Sequence, residues 1–269
     1  MKFSQYFSLI VLLSVFVSCS SDSEPSTETG KSGTPPAVTP VPTETYFPPI
    51  SRTNEWETLS METLGWNENE VSNLYFFLEN NNTDAFIIIK DGRIVIEKYF
   101  GDFKSDDNHV WNSAGKNLTA MLTGIAQEEG FLNILEPTST YLGEGWTNMP
   151  LNQEQNITIK NQLTMTTGLD YTVEDIFCTD PECLNFLNDP NTFWYYHNGP
   201  YTLLDDVIAN ATERDFNAYF SEKIKEPIGM QGLFLKIGYN NVFFSTARSM
   251  ARFGILNLNQ GNHKRVLTA

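Results

Sequence analysis

A chain of 269 residues with 41% hydrophobic and 13% aromatic side chains carries enough apolar surface for one sizeable core or two intimately packed lobes, which excludes a disordered protein. Seventeen basic residues against 33 acidic ones leave a formal charge of -16. Such a chain repels a phosphate backbone and an anionic bilayer surface alike, so nucleic acid is not an expected partner.

Lys2 is the only charge ahead of an apolar run at residues 9–17, and Cys19 follows it. This is the layout of an export signal, too short to span a bilayer. The stretch Phe16-Val17-Ser18-Cys19 resembles the lipobox of bacterial lipoproteins. That resemblance implies a signal peptide at residues 1–18, lipidation of Cys19, and a protein anchored to a membrane in the periplasm or at the cell surface, with the outer membrane the expected site. An ordinary signal peptide cut nearby has the same outline. Residues 19–52, rich in Ser, Thr, Pro and Glu, read as a flexible tether, with one folded domain expected over 53–269.

The pattern of the domain is read in chain order. Asn67 and Glu70 form an N-x-x-E box ahead of Val71, Leu74, Tyr75 and Leu78, which predicts a helix over 67–79. Strand-like runs at 85–90 and 93–100 flank Asp91-Gly92, the dipeptide of a type I′ hairpin. Leu118, Met121, Leu122, Ile125 and Ala126 fall at helical spacing within 110–130, with Asn112 or Ser113 as N-cap and Gly130 as stop. Residues 157–169 read as a short extended piece leading into a helical turn ended by Gly168. Residues 193–204, FWYYHNGPYTLL, read as an aromatic loop running into a helix. Further helices are expected over 216–224 and 246–258.

Export bears on Cys178 and Cys183, which have four residues between them. Outside the cytosol such a pair more often forms a disulfide than stays reduced, two isolated thiols being the alternative. No histidine lies at ligand spacing beside them, so no metal is expected.

The chemistry centres on Ser113 and Lys116 at the start of the 110–130 helix. An i, i+3 offset brings both side chains out on one face, so the amine can alter the proton affinity of the hydroxyl at the positive end of the helix dipole. A serine nucleophile needs such a neighbour when no histidine acts as base. A helix cap followed by a solvated lysine has the same spacing, so the dyad depends on its context.

The context comes from the order of landmarks. LGWNENEVSNL, FIIIKDGRIV, the S-x-x-K helix, ITIKNQLTMTTGL, FWYYHNGPYTLL, EPIGM, FFSTARSMARFGILNLNQG and KRVL run in series over 64–269. In this series the chain resembles the serine hydrolases of the class C β-lactamase and penicillin-binding-protein superfamily. The resemblance implies an α+β fold of the β-lactamase/transpeptidase type, with a helical lobe and an antiparallel sheet lobe. It also implies Ser113 as acylated nucleophile, Lys116 as its partner, Tyr196 as the tyrosine of Y-x-N, and Asn198 as the residue that orients a substrate amide or the lysine. A tyrosine of ordinary pKa, about 10, is a poor base at neutral pH. A cation at ~4 Å and effective dielectric ~20 stabilises its phenolate by up to about 4 kcal/mol.

Met165 and Thr167 stand where the family usually shows His and Ser, in a segment read as structural support, and His197 takes the middle position of Y-x-N, where it is expected to shape the pocket rather than act as base. The family's third motif, K-T-G or H-x-G, is not reached before Ala269. The chain is therefore expected to be the front part of a longer protein whose sheet gains further strands. The expected function is an exported, cofactor-free serine hydrolase acting on an amide or ester: a β-lactam, D-alanyl peptide, short ester or oligoamide. The alternative is a non-catalytic envelope-binding module or an inactive truncated relative. Oligomeric state is left open.

Overall fold

The computed structural model describes residues 45–50 and 55–263. Cys19, the expected signal peptide, most of the tether and the KRVL stretch lie outside the described residues. The first helix, α1 (Val71–Asn80), is preceded by a 3-10 turn at Glu68–Glu70. The expected capping box is half made. Asn67 accepts from the Asn69 N–H at 3.2 Å, but Glu70 accepts from the Asn73 side chain at 2.8 Å instead of reaching back to residue 67. A 3-10 turn stacks residues i and i+3 more directly than an α-turn does, and the reciprocal bond loses its geometry.

Strands β1 (Ala85–Lys90) and β2 (Arg93–Tyr99) pair antiparallel, with a bulge at Ile88/Ile89. Asp91 and Gly92 connect them at φ 49° and 84°, both left-handed, as a type I′ turn requires. Gly92 is fixed twice over, because a Cβ there would sit 1.7 Å from the Tyr46 carbonyl oxygen. The hairpin is tied outward as well. Arg248 reaches both carboxylate oxygens of Glu97 at 2.6 and 2.7 Å, a planar fork that fixes orientation as well as distance.

Tyr46 belongs to residues 45–50, which the sequence assigns to the end of the tether but which lie against the domain. The Tyr46 N–H donates to Asp91 O at 2.9 Å. Arg252, buried, donates to the carbonyls of Pro48, Ile228 and Pro49 at 3.2, 3.0 and 3.0 Å, and its guanidinium lies over the Trp56 ring at 5.1 Å. Polar composition marks a segment as unable to build a core of its own; it does not exclude docking on an arginine from elsewhere in the chain that binds its carbonyls.

The remaining elements are β3 (His109–Val110), α2 (Lys116–Glu128), α3 (Ser139–Leu142), α4 (Leu151–Glu154), α5 (Ile159–Thr164), α6 (Asn198–Thr202), α7 (Leu204–Thr212), α8 (Phe216–Phe220), β4 (Leu233–Ile237), β5 (Asn240–Ser245) and α9 (Ala247–Leu258). The expected 216–224 helix passes from α8 into a π-helical turn at Ser221–Lys225. A second sheet, in the order β3-β5-β4 and antiparallel throughout, was not anticipated from the sequence. Helices and antiparallel sheets together give the expected α+β class.

The core forms where the apolar stripe of α2 meets α7 and α8. Leu118, Leu122 and Ala126 are fully buried in one cluster with Val207, Ile208, Tyr219 and Phe220. Sheet and helices join through aromatic edges: Phe220 meets Phe234 and Phe243 at 5.2 Å each, and Trp111 meets Phe243 at 5.2 Å. Edge-to-face contacts of this kind add to the burial of ring area.

Because Arg252 serves three carbonyls from a buried position, Arg252→Met is expected to lower unfolding free energy by roughly 2–4 kcal/mol, the range for leaving buried acceptors unpaired. Urea titration measures it. Limited proteolysis should then cut near residue 50 in the variant before the parent.

Candidate active site

Ser113 owes its position to a strand end and a strained turn. Trp111 leaves β3 with its N–H donating to Phe243 O at 2.9 Å and its indole Nε1 donating to Ser245 Oγ at 2.7 Å. Asn112 then takes φ 46°, a left-handed conformation that asparagine tolerates better than most residues. The chain turns through a 3-10 segment, Asn112–Gly115, before α2 begins at Lys116. Neither Asn112 nor Ser113 caps the helix with its side chain, contrary to expectation. The reversal at Asn112 already directs the chain into the helix, and the Ser113 hydroxyl, at the positive end of α2, makes no hydrogen bond among the described residues. Gly130 does stop the helix, at φ 79°.

The opposite wall is the Tyr196–Asn198 loop, and residues 158–168 brace it. Thr158 and Asn161 make a full capping box on α5, and Met165 ends that helix at φ 57°. From there Met165 O accepts from the Tyr195 N–H at 3.2 Å, and Gln162, buried, donates to Pro200 O at 2.8 Å. Behind the loop, Cys178 and Cys183 are joined as a disulfide with Cα atoms 6.0 Å apart. The Cys178 carbonyl crowds Gly199 so closely that a Cβ there would lie 2.3 Å from it. Glycine is the residue that lets backbone approach backbone at this point.

Between these walls lies a cavity of about 380 Å³ lined by Ser113, Lys116 and Asn198 together with Thr119, Phe177, Asp205 and Asn241 among others. Lys116 Nζ donates to Asn198 Oδ1 at 2.8 Å. The same ammonium stands 5.2 Å from the centre of the Tyr196 ring and 5.3 Å from that of Tyr201, within the range of cation–π attraction. Tyr201 in turn donates its hydroxyl to Lys116 O at 2.9 Å, pinning the first turn of α2. Tyr196 is 38% exposed and stands at the rim, beside the lysine but not in the cavity wall. Asn198 and Tyr196, 82 and 80 positions along the sequence from Lys116, thus meet at its amine, and Ser113 lines the same cavity.

Thr119, Asp205 and Asn241 were not anticipated as site residues. Thr119 donates to Asp205 Oδ1 at 3.2 Å, and Asn241 donates to Asp205 Oδ2 at 2.9 Å. Burial pushes the Asp205 carboxyl up to about 7, against the pull of Asn241, Thr119 and Lys116. The sequence did hold a sign of it: an acidic residue sits among Leu204, Val207 and Ile208, all of them buried. Thr119 follows Lys116 by three positions and so shares its face.

His197 does not line the cavity, so it does not shape the pocket wall directly. It is buried, and both ring nitrogens are without a hydrogen-bond partner among the described residues. Burial pulls it down to about 4, with Asp170 opposing. The folded pKa lies below that of the unfolded chain, so between about 6.5 and 4 the unfolded state takes up a proton that the folded state refuses. Stability is complete above about 6.5 and is lost as pH falls toward 4, by up to about 3 kcal/mol. His197→Phe is expected to flatten the stability–pH curve across that window in urea titrations. An unchanged slope would assign the acid sensitivity to other groups.

Helices packed on antiparallel sheet, with a serine and a lysine in one cavity at the tip of α2, define the β-lactamase/transpeptidase-like fold. The β-lactamase family profile matches residues 80–268, well over half of the chain. The chain belongs to that family, a family of hydrolases. Among curated proteins it is similar to PbpX of Bacillus subtilis, 29% identical over 160 residues, which are 54% of this chain and 39% of PbpX. It is also similar to the 6-aminohexanoate-dimer hydrolase of Paenarthrobacter ureafaciens, 31% identical over 67 residues, 25% of this chain and 17% of the hydrolase. The matched part thus spans well under half the length of either relative. Among solved structures, FmtA of Staphylococcus aureus aligns at TM-score 0.59 and 18% identity, covering 77% of this chain and 69% of FmtA. An octameric penicillin-binding protein homologue from Pyrococcus abyssi aligns at TM-score 0.56 and 18% identity, covering 72% and 56%. At these identities the structures speak for the fold alone.

Proposed function

We propose that this protein is an exported serine hydrolase that forms an acyl-enzyme on Ser113. The observation that carries the reading is the Lys116 ammonium, held by Asn198 and flanked by Tyr196, in the cavity that also receives Ser113. In the first step Ser113 Oγ bonds to the substrate carbonyl carbon, and its proton passes to the Tyr196 oxygen, acting as the phenolate that the neighbouring Lys116 ammonium stabilises. The tetrahedral intermediate then expels the amine or alkoxide leaving group, which takes that proton. Water attacks the resulting ester, releasing the acid and restoring the hydroxyl. Asn198 orients the lysine and presents its amide to the substrate. No metal or cofactor enters these steps.

The substrate is an amide or ester of the cell envelope or its surroundings: a β-lactam, a D-alanyl peptide, a short ester or an oligoamide. The names of the relatives support that range, since one is a 6-aminohexanoate-dimer hydrolase and a structural neighbour is a penicillin-binding protein homologue. A cavity of about 380 Å³ is at the small end of ligand sites and suits a compact acyl group. The sequence around Cys19 adds a lipid anchor to this reading.

Covalent labelling tests the nucleophile. A fluorophosphonate or fluorescent penicillin is expected to label the parent and to leave Ser113→Ala unlabelled; equal labelling of the two would end the assignment. For the anchor, cells expressing Cys19→Ala should release the protein into the soluble fraction while the parent incorporates palmitate. Palmitate incorporation by Cys19→Ala would refute lipidation there.

A further inference from the structure

Asp205 is the one carboxylate among the residues that line the cavity. It is partly buried at the start of α7, and its two oxygens are held from opposite sides, by Thr119 of α2 at 3.2 Å and by Asn241 of β5 at 2.9 Å. A structural carboxylate is usually paired with a cation or left in water, because an isolated buried charge is costly. Here the hydrogen-bond donors are neutral, and the cation that shares the cavity is Lys116. Thr119 lies one turn along α2 from Lys116, so the threonine that grips the carboxylate sits on the face that carries the amine.

We propose that Asp205 is the counter-charge of Lys116, a positioning residue that holds the lysine head group between Asn198 and Tyr196 and couples it to the β4–β5 hairpin. This rests on the reading of Ser113 and Lys116 as the reacting pair. Asp205 acts through the lysine and need not touch the substrate. Asn241 makes the coupling structural: it fixes the carboxylate from a strand, while Thr119 fixes it from the helix, so strand and helix share one charge.

The charged and titratable groups around Asp205 are few. Lys116 faces it from α2, Tyr201 from α6, Asp206 follows it on α7, and Tyr196 stands at the rim beyond the lysine. The wall that β5 supplies is Asn240, Asn241 and Val242, none of which titrates. Lys116 donates to Asn198 and forms no ion pair with Asp205 among the described residues, so the carboxylate acts across the shared cavity: ionised, it favours the ammonium at Asn198; protonated, it no longer does. Burial sets the change near 7.

The test is the rate of fluorophosphonate labelling of the full chain between about pH 5 and about pH 9, for the parent, Asp205→Asn and Thr119→Val. The parent's rate is expected to rise with a midpoint near 7. Asp205→Asn should match the parent at the acid end and fall behind by roughly tenfold at the alkaline end, the effect of one unit of proton affinity. Thr119→Val removes a donor to the carboxylate and should move the rise to higher pH. An Asp205→Asn profile that is slower by one factor at every pH, with the rise intact, would overturn the proposal. Should that variant not fold, a Thr119→Val profile superimposable on the parent's would do the same. Ser113→Ala separates the two claims. If it still labels, the nucleophile assignment has failed; if it does not, and the variant profiles keep the parent's shape, Asp205 alone has been misassigned.

Discussion

The hydrogen bond from Lys116 Nζ to Asn198 Oδ1 spans 82 positions of sequence in 2.8 Å, and most of the described structure serves to make that span possible. One end rests on α2, whose buried Leu118, Leu122 and Ala126 lock its rotation about its own axis. The other end rests on a loop that would have no fixed course without Met165 O, Gln162 and the crowded Gly199 behind it. An ammonium in a partly enclosed cavity needs acceptors that do not move, since the same low polarity that strengthens each interaction makes a missing one expensive. The polar wall of Asn198, Thr119, Asp205 and Asn241 answers that requirement.

The molecule keeps two features that packing alone would remove. Asn112 sits in left-handed backbone immediately before Ser113, and at Asp205, half-buried as a residue, burial of the carboxyl pushes it up to about 7. Strained backbone and a shifted carboxyl beside the same cavity support the proposed site, since such features cluster at functional sites. His197 belongs to a different category: it is buried, lies outside the cavity lining, and its ring nitrogens have no hydrogen-bond partner among the described residues, which gives an acid sensitivity.

Membership of the β-lactamase family fixes the framework and leaves the substrate open, because one such framework hosts amide and ester chemistry of several kinds. What this chain adds to the framework is local. A disulfide loop brings Phe177 to the cavity, and β4–β5 brings Asn240, Asn241 and Val242 to its far side. Under the proposed acyl-enzyme reading, discrimination among substrates is expected to reside in these two segments rather than in the Ser113–Lys116 helix.

By itself the sequence determined the elements whose signal is short-range. The Asp91-Gly92 turn, the stripe on α2 and the stop at Gly130 each depend on residues within a few positions of one another, and propensity and spacing read such features directly. Ser113, Lys116, Tyr196 and Asn198 were legible as a set because their order resembled a known series. Tertiary structure alone decided the rest. The β4–β5 hairpin escaped notice because Leu233, Leu235 and Ile237 are exposed apolar residues alternating with the buried Phe234, so neither face stood out by polarity. Asp205 gained its meaning only from Thr119 and Asn241, 86 and 36 positions away. Residues 45–50 looked like tether because the arginine that holds them lies more than 200 positions further on. A charge, a cap or a contact made by distant partners leaves no periodicity for the sequence to show.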